Sequence, residues 1–233
     1  NFESYTAGSD ANGQGSWAAD STTRFLVDPT DAGNQALNGE EFANGNPSNV
    51  YHPIPVISTT SVGTVFFRAL INPTGSPGNG DFVIGTSDVA APGANSWNDF
   101  EGYMRFSGGD IDVRDDSVAG SFRDVGDYNN DEWYNVWLVL DHTNDTTDIY
   151  FNQGTGDATT AAGSGTFRGT GAPHGDLINL FIRNNDATSN GFIDDIYVDN
   201  TGANLTNPAA IPEPATSLLA LLGLAFGMRR RRS

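Results

Sequence analysis

Between residues 64 and 198 the chain keeps returning to one pattern. A short run of β-branched, aliphatic or aromatic residues is followed by a cluster of Gly, Asn, Asp or Pro. Hardly any stretch before residue 215 sustains a helical period, so most of the chain is confined to strands and turns. The clearest case is Trp133–Asp141: Trp133, Asn135, Trp137, Val139 and Asp141 point one way, Tyr134, Val136, Leu138 and Leu140 the other. The second set is continuously apolar, which predicts a strand laid on a core. Polar residues 142–146 then lead into Asp148, Ile149, Tyr150 and Phe151, the pattern of a hairpin turned around Asn144-Asp145. Further strands are predicted over 64–71, 81–85, 102–106, 111–114, 147–151, 177–183 and 192–198, with weaker candidates at 25–27, 35–37 and 56–58. About a dozen strands cannot bury their faces as one flat sheet, so the expectation is an all-β fold of two antiparallel sheets packed face to face.

Nothing covalent staples these strands together. The chain has no cysteine, which excludes disulfides and thiolate metal sites, so stability has to come from the core and from any bound ion. Aromatic residues at 11% and 28 glycines fit a globular fold with many tight turns, since a disordered acidic chain would be poor in Phe, Tyr and Trp. All 29 acidic residues precede residue 215 and four of the 11 basic ones follow it, leaving seven positive charges against 29 negative ones, a net of −22. Such a body repels nucleic acid and anionic lipid and suits neutral or cationic ligands, or calcium. Lysine is absent, and all seven positive residues of the body are arginine.

The last part of the chain follows other rules. Pro212-Glu213-Pro214 cannot continue a helix, because each ring removes a backbone donor and residues before proline favour extended geometry. Behind the triplet, Ala215 to Met228 is apolar all round, and Arg229, Arg230, Arg231 and Arg232 close the run. Fourteen residues rise about 21 Å, short of a hydrocarbon core of roughly 30 Å, a mismatch that a temporary anchor tolerates. The arginines are expected to stay on the cytoplasmic side, with the acidic body outside. Triplet, apolar span and basic cluster in this order resemble the PEP-CTERM sorting signal of Gram-negative bacteria. The resemblance implies an exosortase that cuts near the triplet, transient anchoring in the inner membrane through a C-terminal transmembrane helix, and release to the envelope surface or extracellular matrix. It also implies export, hence an upstream signal peptide already removed or a truncated start. The last core pattern ends near Thr201. The expected organisation is a β domain over 1–206, a Pro-rich linker over 207–214 and the sorting tail over 215–233.

The body carries a second likeness. Residues 132–141 with 148–152 resemble the central hairpin of laminin-G-like and concanavalin-A-like jelly rolls. Residues 191–198, like Asn1-Phe2-Glu3 with Trp17, are similar to segments of carbohydrate-binding jelly rolls. This likeness refines the expected fold to a two-sheet jelly-roll sandwich. It also implies a structural calcium joining the first and last segments through Glu3 and Asp194.

Catalysis finds no local support. The Glu-x-Asp-x-x-Glu strand of the glucanase relatives is absent, His52, His142 and His174 are scattered, and neither His-Glu-x-x-His nor Gly-x-Ser-x-Gly occurs. No catalytic residue is therefore assigned. Sugar binding would use exposed aromatic rings, and Trp97, Phe100, Tyr103 and Tyr128, in or near polar loops, are the candidates. The expected function is a non-catalytic surface or matrix protein that binds extracellular polysaccharide. A secreted glycosidase or lyase on the same fold, and a purely structural or adhesive protein, are the alternatives.

Overall fold

The computed structural model describes residue 2 and residues 4–19, 25–31, 34–39, 48–73, 81–92, 97–118, 121–169, 174–185 and 189–208. Within them run fourteen strands: β1 (Ala18–Ala19), β2 (Phe25–Asp31), β3 (Asn34–Gly39), β4 (Ser48–Ile57), β5 (Val62–Pro73), β6 (Phe82–Ser87), β7 (Tyr103–Ser107), β8 (Asp110–Arg114), β9 (Phe122–Asp127), β10 (Tyr134–Asp141), β11 (Thr146–Asn152), β12 (Gly163–Thr166), β13 (Leu177–Asn184) and β14 (Ser189–Asp199). A single 3-10 turn, Trp97–Asp99, is the one helical element among the described residues. Sheet I has the order β12-β11-β10-β5-β14-β3-β2 and sheet II the order β1-β4-β13-β6-β7-β8-β9. All pairings are antiparallel, and the molecule is the expected jelly-roll sandwich.

The period of two decides what lies between the sheets. Val65, Phe67, Ala69 and Ile71 of β5 and Val136, Leu138 and Leu140 of β10 meet Ile84, Met104, Phe106, Ile111, Val113, Leu180 and Ile182 of sheet II in one buried cluster. Each of these side chains except Ala69 contributes about 1.5–3 kcal/mol when fully buried. Gly165 of β12 comes so close to β8 that a Cβ on it would lie 1.9 Å from the Arg114 carbonyl oxygen, so glycine is required there. The predicted hairpin joins β10 to β11, with Asp145 at φ 51° and the Asp141 carboxylate accepting the Thr143 and Asn144 amides.

The outer face of β10 is covered as well. Residues 200–208, beyond the last strand, cross sheet I as a strap. Trp137 Nε1 donates to the Thr206 carbonyl at 3.0 Å, Thr64 Oγ1 donates to Gly202 O at 3.0 Å and accepts from Asn204 N at 2.9 Å, and Asn207 N donates to Asp157 at 2.8 Å. Folded contacts thus continue past Thr201, because polar backbone laid over a sheet can satisfy itself on the hydroxyl, indole and carboxylate groups it crosses. The processing residues Pro212, Glu213 and Pro214, the arginines Arg229, Arg230, Arg231 and Arg232 and the expected transmembrane helix lie outside the described residues. No helix among the described residues is long and apolar enough to cross a membrane.

Candidate functional site

The inward parity of Tyr134, Val136, Leu138 and Leu140 leaves Trp133 and Asn135 outside, on the surface of sheet I. Asn135 lies opposite Arg68 of β5 in the ladder. The Arg68 guanidinium carbon sits 4.9 Å from the centre of the Trp133 ring, a cation–π arrangement. On the other side of β5, the pairing with β14 shifts between Asp194 and Tyr197. Asp195, at φ 50° in this bulge, turns its carboxylate to within 3.4 Å of Arg68 Nη1. A bulge that re-aims one carboxylate onto the only guanidinium of the cleft is a feature that parity alone cannot reveal.

Arg68, Trp133 and Asn135 form one wall of a cleft of about 250 Å³, which Gln153, Gly154, Thr155 and Asn207 also line. Asn135 Nδ2 donates to Asn152 Oδ1 at 2.9 Å and to the Gly154 carbonyl at 2.5 Å, which fixes the amide. Asn129 and Gln153 both donate to Glu132, and these bonds hold the Glu132 carboxyl below its ordinary pKa. Asn207 comes from the strap, so the cleft is complete only with the strap docked. A half-buried indole, a guanidinium and several amides can stack against the C–H face of a sugar ring and hydrogen-bond its hydroxyls. No carboxylate stands among the lining residues, and the two nearest to it, Asp195 and Glu132, are engaged by the lining residues Arg68 and Gln153.

The aromatic residues proposed from sequence lie elsewhere. Trp97, Phe100 and Tyr103 do come together, on the outer face of sheet II, where they pack with Val83, Phe181 and Phe122. Phe100 stacks on Phe181 at 4.2 Å, and neither Phe100 nor Tyr103 keeps any exposed surface. Phe100 and Tyr103 form a second small core and offer no ring face to a sugar. The 3-10 turn folds Trp97 and Phe100 onto a sheet face that Val83, Tyr103 and Phe181 already make apolar, and burial is the favourable outcome. Trp97 remains half-buried, with the Arg183 guanidinium carbon 4.8 Å from its ring centre. Tyr128 is separate, packed edge-on against Phe106 at 5.3 Å on the margin of the main core. Asp194 is buried in β14, 1% exposed, and its carboxylate accepts the Asp195 amide at 2.8 Å. Its expected calcium partner Glu3 lies outside the described residues, and among the described residues no three His, Asp or Glu side chains are grouped to hold a metal.

The signal for Trp133 was present in the sequence. It shares the mixed face of its strand with Asn135. A second cleft, about 270 Å³, lies between the N-terminal segment, β4 and β14, with Phe2, Trp17, Pro53, Pro55, Ile196 and Val198 in its walls. His52 is there, its pKa lowered by burial against the opposing effect of its hydrogen bond to the Pro53 carbonyl. This cleft lacks the amides of the first.

Comparison with known proteins bears on both halves of the chain. The family model for the PEP-CTERM protein-sorting motif matches residues 210–232. No curated protein sequence matches the chain. Among solved structures, a sialidase is similar with a TM-score of 0.55 and 13% identity over 79% of this chain, which spans only 17% of that protein. The carbohydrate esterase vb_24B_21 of the Shiga toxin-encoding bacteriophage phi24B superposes with a TM-score of 0.51 and 15% identity, covering 80% of this chain and 90% of its own. Botulinum neurotoxin type C, whose passage into cells depends on interaction with two ganglioside molecules, gives 0.51 and 12% identity over 81% of this chain and 43% of that one. At these identities the likeness is one of fold. The chain is a two-sheet jelly-roll sandwich that carries a PEP-CTERM sorting motif at residues 210–232.

Proposed function

We propose that this protein is an exported, non-catalytic surface or matrix component that binds extracellular polysaccharide in the Trp133–Arg68 cleft. The observation that carries the reading is the half-buried Trp133 ring set beside a guanidinium and three side-chain amides in one cleft. The ligand class that suits it is a neutral glycan. Arg68 already faces Asp195, and Arg105, Arg114 and Arg123 each face an aspartate, so these cations are spent inside an acidic body. The glycan and ganglioside chemistry named for the neighbours above is consistent with such a role. The sorting motif supports exosortase processing and delivery to the envelope or matrix, with the tail in the membrane beforehand. Calcium bound through Glu3 and Asp194 is proposed as a structural cofactor.

Affinity electrophoresis through gels holding neutral or uronate polysaccharides tests the glycan reading. Retardation is expected with at least one neutral polymer. Trp133→Ala should weaken it about tenfold, equivalent to about 1.4 kcal/mol, and Trp97→Ala should leave it unchanged. Binding that survives Trp133→Ala, or retardation by no neutral polymer, overturns the assignment.

A further inference from the structure

Beside the Trp133 cleft lies a hollow that the proposed function does not use. It measures about 360 Å³, and Phe66, Tyr197, Asp199, Asn200, Asn204 and Pro208 stand in its wall. Tyr197 is 44% exposed, and among the described residues only Val56 is another large apolar side chain left so open. The bulge in β14 puts the ring there. Asp194 lies opposite Arg68 and Tyr197 opposite Phe66, so three steps along β14 match two along β5. Without the extra residue Ile196 would take the outer position; with it, Ile196 and Val198 pack against the core and Tyr197 turns out. The ring is held in place, 6.0 Å from the Phe66 ring, which itself lies 5.0 Å from the Trp137 ring.

Hollow and cleft adjoin. Phe66 in one and Arg68 in the other are alternate residues of β5, on one face and about 7 Å apart. Pro208 and Asn207, consecutive in the strap, line one each. Since Asn135 faces Arg68 and Tyr197 faces Phe66, Trp133 stands two strand spacings and four residues from Tyr197, roughly 17 Å between backbones. A mono- or disaccharide cannot touch both rings, whereas a linear chain of several sugars can. Two amides beside Tyr197 are fixed in orientation: Asn200 Nδ2 donates to the Val56 carbonyl at 3.0 Å and Asn204 Nδ2 to Asp199 at 2.9 Å. Charge selects among linear chains. The Thr201 hydroxyl and amide and the Asn204 amide hold the Asp199 carboxyl below its ordinary pKa, so it stays ionised. With Asp195 beside Arg68, one guanidinium stands against two carboxylates, which disfavours uronate or sulfated polymers.

We propose that cleft and hollow form one elongated site for a linear neutral polysaccharide, with Trp133 and Tyr197 as its two ring platforms and Asn200 and Asn204 meeting hydroxyls beside the second. The proposal rests on the glycan reading of the Trp133 cleft and adds to it a second platform and a minimum ligand length. NMR titration of the protein with the disaccharide and the hexasaccharide of cellulose, laminarin and mannan tests it. In the series that binds, the hexasaccharide should shift amides in both parts of the site, Gln153 and Gly154 in one and Asn200 and Asn204 in the other. It should bind on the order of tenfold more tightly than the disaccharide, and Tyr197→Ala should remove that gain without changing the disaccharide's affinity. Tyr197→Phe keeps a ring and should keep the gain. Equal affinities for the two lengths in the wild type, or a gain that survives Tyr197→Ala, overturns the elongated site; disaccharide binding that is then lost in Trp133→Ala leaves the first cleft standing. Binding in no series, or disaccharide binding untouched by Trp133→Ala, overturns both readings.

Discussion

A buried carboxylate in this acidic protein persists only where something replaces its water, and individual residues show several solutions. Burial alone would raise the pKa of Asp115, but the Ser117 hydroxyl and amide and the Arg123 guanidinium outweigh it and hold it low. Glu101 lacks such support and keeps its proton instead. Asp194, 1% exposed, receives the Asp195 amide. A cation shared with Glu3 would add a further counter-charge there. If calcium binds the folded form, it stabilises that form by about 2.7 kcal/mol at a hundredfold excess over Kd. Chelation should then lower the wild-type melting midpoint by several degrees, and Asp194→Asn should abolish the response. An identical midpoint in chelator and in millimolar calcium would refute the site. At this scale the sequence displayed residue types and parity; the partners of each acid were not legible, because they come from distant strands.

Among elements, the strands with strong alternation were the legible ones, and each of the eight best candidates has its counterpart in β5–β8, β10, β11, β13 or β14. Those without a local signal were missed. Gly163–Thr166 reads as a turn yet forms β12, because pairing with β11 and close approach to β8 require small residues. Only 56–58 of β4 suggested a strand, since Pro53 and Pro55 interrupt it. The structure accommodates them where β1 has already ended, at Tyr51, and where the pairing with β13 shifts register. The strap over 200–208 had no periodic signature at all. Its removal should expose Trp137 and Phe66 and cancel the Trp137–Thr206 bond, costing about 2–4 kcal/mol. Urea unfolding of a chain ending at Asp199 against one ending at Pro208 measures that cost, and equal midpoints with equal slopes would show that the strap contributes nothing.

For the whole molecule, the strap ends just before the sorting motif at residues 210–232. Pro208 lines the hollow beneath the strap and Pro212 follows four residues later, a reach of at most about 14 Å. Cleavage at Pro212–Pro214 therefore leaves every strap contact intact. Mass spectrometry of envelope protein from a host with the exosortase should find a C-terminus near that triplet, and recovery of only the chain ending at Ser233 would refute processing. The destination signal was fully legible, because proline chemistry, apolar length and terminal charge are local properties of a short segment. So was the division of each strong strand into an inner and an outer face, because a period of two is written in consecutive residues. Only the tertiary structure decided which outer faces are themselves covered, turning Phe100 and Tyr103 into core and leaving Trp133 at a cleft. It alone brought Arg68 to Asp195, 127 residues away, and Glu101 to His174. Those meetings depend on sheet order and on one bulge, which arise from long-range pairing and leave no periodic trace in the residues that flank them.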